Sequence, residues 1–212
     1  MKFVHLVDLK THDLRCSTRS IARVFTELSE EKKTIVEEMG FGALRRIPEL
    51  NVSHKLLREL ILCFDLYHRF LDTHYGKIYI TSAKIGDALG LNSGGDHFPK
   101  KVAYNKLNEG GELAEIQDDF IVFVQKCFLL LTTISIISSV HKPPALHVEI
   151  VRQWNWASHA LSFLIKGIKA QRAGHKLFVD GCVFVLMLIY FHETKFPHLE
   201  ADDARKPPWV AY

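Results

Sequence analysis

Cysteine is scarce and scattered in this sequence: Cys16, Cys63, Cys127 and Cys182 stand far apart, and no two form a C-x-x-C pair. Zinc ribbons and dithiol redox sites need paired thiols at that spacing, so neither is expected. Cys63, Cys127 and Cys182 fall inside apolar helical patterns, where a reduced core thiol is the ordinary reading. A long uninterrupted apolar run is also missing. Residues 120–137 come nearest, but Gln125 and Lys126 lie inside them and Thr132, Thr133 and Ser135 dilute them. The wholly apolar stretch from Cys182 to Phe191 has about half the length that crosses a bilayer. Both read as buried helices. Charge of one sign is not in excess either. A formal net charge of +3 over 212 residues does not mark a nucleic-acid or membrane binder, since those concentrate a basic face. The first apolar residues are interrupted by His5, Asp8 and Lys10, unlike a secretory leader, so a reducing intracellular compartment is expected.

The signatures of catalysis are incomplete. His192-Glu193 opens the pattern H-E-x-x-H, which places two imidazoles one turn apart on a helix face. Phe196 occupies the closing position, and His198 lies beyond Pro197. Gly90 to Asp96 has the glycines of a phosphate loop. It lacks the Lys-Ser/Thr that grips phosphate and magnesium, and it leads into His97-Phe98-Pro99 rather than a helix. No dinucleotide fingerprint occurs. Pyridoxal chemistry would need a Schiff-base lysine on a large α/β scaffold, and only one convincing strand can be read. Neither an enzyme nor a metal or cofactor is therefore expected. A vestigial thiol chemistry would have only Cys182, just after Asp180-Gly181 at a helix start, and His192 to draw on.

What is present is core material. With 48% hydrophobic and 24% charged residues, the chain can offset the entropy of ordering a globular domain. The fold class expected is mainly α: a multi-helix domain with at most a short β element near residues 77–80. Ser29 starts a helix over Glu30–Met39 and Gly40 stops it. Ser53 starts another, with Leu56, Leu57, Leu60, Ile61 and Phe64 at helical spacing, expected to run through Leu71. Gly76–Ile80 alternates as a strand, and Thr81 or Ser82 caps a short helix ended by Gly90. Further helices are expected over 113–137, over 145–173, and from a cap at Asp180 to about Glu193. Residues 1–25 read as an N-terminal arm. Residues 26–212 read as one domain, open to division into two lobes meeting near 100–115.

Three segments, in order, carry a family resemblance. Met39-Gly40-Phe41-Gly42-Ala43-Leu44 is one. Ile78-Tyr79-Ile80-Thr81 followed by Ile85-Gly86-Asp87-Ala88-Leu89-Gly90-Leu91 is the next. Asp180-Gly181-Cys182, Tyr190-Phe191-His192-Glu193 and Pro208-Trp209 complete the set. Together they resemble the plant mobile domain of the legume type, across most of residues 15–210; the region after Phe98-Pro99 is shorter than in that pattern. The resemblance implies a helical domain of transposon-derived plant genes, some fused to SUMO-type cysteine proteases, with a few domesticated nuclear proteins linked to silencing and genome maintenance. The label "aminotransferase-like" that accompanies the family finds no support in the residues.

Two binding readings follow. The first is a non-catalytic, transposon-derived module, nuclear by the resemblance, that binds another protein. Trp154 and Trp156, set about 200° apart on a helix, offer one ring to the core and one to the surface as a partner anchor; packing of both rings in the core is the alternative, and the favoured one. The second is a nucleic-acid-binding factor. Arg15, Arg19 and Arg23 recur every fourth residue as a stripe, and Arg45-Arg46 would join them on the phosphates.

Overall fold

The computed structural model describes residues 18–50, 52–98, 120–129 and 151–195. Helix α1 spans Thr18–Glu27, and its Ile21, Val24 and Phe25, with Leu28 just beyond, recur at helical spacing and are all buried. The segment assigned to an N-terminal arm therefore contributes to the core wherever it is described. Thr18 Oγ1 donates to the Leu50 carbonyl and accepts from its N–H, both at 3.3 Å. That clip ties the start of α1 to the exit of a 3-10 turn at Gly42–Arg46. Helix α2, Glu30–Glu38, starts as expected, with the Ser29 side chain accepting from the Lys32 N–H.

Helix α3 spans His54–Leu62, capped by Ser53, whose hydroxyl accepts from the Leu56 N–H. It does not run on to Leu71. The chain turns instead into a three-stranded antiparallel meander, β1 (Phe64–Asp65), β2 (Phe70–Thr73) and β3 (Gly76–Tyr79). The short β element was expected near 77–80; its two partner strands were not. Leu66, Phe70 and Leu71 imitate a helical stripe, but two interactions end the helix. Asp65 Oδ1 accepts from the N–H groups of Tyr67 at 2.9 Å and His68 at 2.6 Å, forming a tight turn. From far along the chain, the Arg172 guanidinium donates to the carbonyls of Ile61, Leu62 and Phe64 at 2.7, 3.2 and 2.7 Å. Those oxygens would otherwise be orphaned at a helix end. In register, Phe64, Leu71 and Ile78 line up on the core face, and Asp65, Phe70 and Tyr79 on the other.

Helix α4, Ser82–Leu89, is capped by Thr81 and closed at Gly90. Residues 120–124 are helical and widen into a π-helical turn at Gln125–Leu129 that packs on α1. Helix α5 spans Trp156–Arg172 and α6 spans Phe184–Thr194. α4 packs on both, and α3 packs on α6. Two helix starts differ from expectation. In place of one helix over 145–173, the chain breaks at residues 152–155. The Asp96 N–H donates to the Gln153 carbonyl and the Asn155 N–H to the Asp96 carbonyl, so the 92–96 loop docks into the break. Asn155 then caps α5 by accepting from the Ser158 N–H. Asp180 does not cap α6, which begins at Phe184 behind Val183; it is buried and ion-paired to Lys176. Of the helix expected over 113–137 only residues 120–129 are described, and the lobe boundary expected near 100–115 lies outside the described residues. One buried cluster runs from Ile21 to Ile189 and includes residues of every helix.

Candidate functional site

The two tryptophans pack close to one another in the core. Because the chain breaks between them, Trp154 and Trp156 are not on one helix face map, and both rings are buried, 4% and 2% exposed. Their centroids lie 6.5 Å apart. Phe98 sits 5.0 Å from Trp154 and 4.8 Å from Trp156, and Phe41 lies 4.8 Å from Trp156. The indole N–H of Trp156 donates to the Val151 carbonyl at 2.8 Å, which satisfies its one polar atom inside the core. Neither ring is a surface anchor. The glycine-containing 90–96 loop is also structural. Asn92 Nδ2 donates to the Arg152 carbonyl and Asn155 Nδ2 to the Ser93 carbonyl, so the loop's polar groups hold the 152–155 break.

The basic stripe is only partly described, since Arg15 lies outside the described residues. Arg19 and Arg23 are exposed on α1, but Arg19 lies 3.7 Å from Glu49 and Arg23 lies 2.8 Å from Glu27. Arg45 pairs with Glu37 across the 3-10 turn. Arg46 is exposed. Three of these cations thus already face carboxylates, which lowers the positive field any phosphate would meet.

Cys182 and His192 lie toward opposite ends of α6. Cys182 is a buried thiol, 1% exposed, and precedes the helix; eight residues from Phe184 to His192 rise about 12 Å. A thiolate–imidazole pair is not assembled. Burial pushes the His192 pKa down, against the pull of Glu193, with Lys84 adding to the lowering and Asp87 opposing it. Cys63 is half-buried, its thiol donates to the Leu60 carbonyl at 3.5 Å, and burial pushes its pKa up. The Cys63 environment does not make an activated thiol. Among the described residues no group of three or more His, Cys, Asp and Glu is placed to hold a metal ion.

The surface offers something that the sequence did not single out. A groove of about 110 Å³ is lined by Arg58, Ile61 and Leu62 of α3, Gln171 of α5, and Leu177, Phe178 and Val179 of the α5–α6 loop. Leu62 is 65% exposed, Leu177 88% and Phe178 44%. Single exposed leucines are common, but three large apolar side chains around one concavity are not. Local chemistry builds each wall. Leu62 falls off the inward stripe of α3. Gly174, at φ +74, closes α5 in a left-handed turn that residues with a Cβ rarely adopt. That turn sends Leu177 and Phe178 back toward the end of α3, where Arg172 holds the last carbonyls. The available signal was the apolar triplet Leu177-Phe178-Val179 standing in a glycine-marked connection.

Exposed tyrosines mark the sheet as a second surface feature. Tyr67, Tyr75 and Tyr79 are 87%, 65% and 54% exposed. Tyr79, His68 and Lys77 cover Phe70, with Lys77 Nζ 4.6 Å above its ring. The outward-facing charges here, Asp65 and Asp72 against Lys77, do not form a field of one sign.

Fold and groove define a mainly α-helical domain with a small antiparallel sheet and an apolar hollow on its surface, and among the described residues no helix is long and apolar enough to cross a membrane. A family model described as "Domain of unknown function (DUF8566)" matches residues 14–118 and 105–187, together spanning residues 14–187. The chain belongs to that family. No curated protein and no solved structure matches it.

Proposed function

We propose that this chain is a non-catalytic interaction module and that the groove between α3 and the α5–α6 loop holds part of another protein. The observation that carries the reading is the convergence of Leu62, Leu177 and Phe178 on one hollow. At about 110 Å³ the hollow is below the roughly 300–1,000 Å³ of cofactor and drug-sized sites, yet it has room for a large apolar side chain. Apolar anchors in such pockets dominate protein–protein affinity. The resemblance to the plant mobile domain extends the proposal to a transposon-derived protein working in the nucleus, and that extension rests on the sequence motifs alone. The nucleic-acid alternative is weaker because Arg19, Arg23 and Arg45 are paired with carboxylates.

The test is the triple exchange Leu62→Ser, Leu177→Ser and Phe178→Ser. These side chains are exposed, so each substitution is expected to change stability by no more than about 0.5 kcal/mol. Partners that the wild-type chain retains from nuclear extract should be lost by a variant that melts normally. An unchanged set of partners would refute the reading. Binding to a random-sequence DNA duplex that falls steeply with salt would replace it with phosphate recognition.

A further inference from the structure

We draw no further inference here: the strongest candidate, the aromatic surface patch of the three-stranded sheet where Tyr67, Tyr75 and Tyr79 are exposed, sets Asp65 and Asp72 against Lys77, and with charge of both signs nothing in the structure shows what covers it.

Discussion

Gln125 should make the protein less stable than a nonpolar side chain of the same length would. It stands in the π-helical turn against α1, is 0% exposed, and among the described residues neither its Nε2 nor its Oε1 has a hydrogen-bond partner. A buried amide without partners costs about 1–3 kcal/mol on the scale of protein mutational data. Methionine has nearly the same length and shape and no such demand, and a volume-conserving change in a core costs less than about 1.5 kcal/mol. Gln125→Met should therefore stabilise the fold by about 1–2 kcal/mol. For a domain of this size each kcal/mol moves the melting temperature by roughly 2–4 °C, so a rise of about 2–8 °C is expected. Calorimetry, with urea denaturation to confirm an unchanged slope, measures it. Gln125→Glu is the companion: it puts a carboxylate in the same place and should be severely destabilising. A Met variant that is less stable than wild type, together with a tolerated Glu, would refute the reasoning and show that the amide has a solvent or ligand partner.

Three further outcomes are expected. Arg172→Ala removes the donors that hold the carbonyls of Ile61, Leu62 and Phe64 and should cost about 1.5–3 kcal/mol, the range for hydrogen bonds to a charged group; a loss below about 0.5 kcal/mol in urea denaturation would show that the α3 end holds without it. Gly95→Ala should destabilise by about 2 kcal/mol or more, because the backbone is at φ +78 and a Cβ would stand 2.1 Å from the Gln153 carbonyl oxygen; thermal melting that matches wild type would place the 92–96 loop elsewhere. Burial holds the His192 pKa below the ordinary 6.5, so the folded chain favours the neutral ring. Its contribution is complete above that value and is lost as the pH falls from there through the lower folded value. His192→Gln should accordingly flatten the decline in stability from pH 7 to pH 5, and an identical decline in both proteins would exclude the histidine as its source.

Much of the helical frame was legible because its causes are local. Ser29, Ser53 and Thr81 each accept a hydrogen bond from an N–H three residues on, and Gly40 and Gly90 take the left-handed turn that ends a helix. Those interactions operate within one turn, so residue type and spacing carry them. The apolar stripe of α3 was equally readable, with Leu57, Leu60 and Ile61 buried as their spacing requires. The site was not. Trp154 and Trp156 drew attention as residues of one helix, whereas the groove is made by Leu62 and Leu177, which no local pattern connects.

The sequence by itself determined where α2, α3 and α4 begin, which residues are apolar enough to be inside, and that no metal or phosphate motif is complete. Tertiary structure decided where α3 ends, where the 145–173 segment breaks, and which apolar residues stay outside. Arg172 ends α3 from 110 residues away in sequence, and the Asp96 backbone holds the 152–155 break from a similarly distant part of the chain. The physical reason is the same in each case. Orphaned carbonyls and N–H groups at an element's end must find partners, and when the partner is distant in sequence, only the folded chain brings it there.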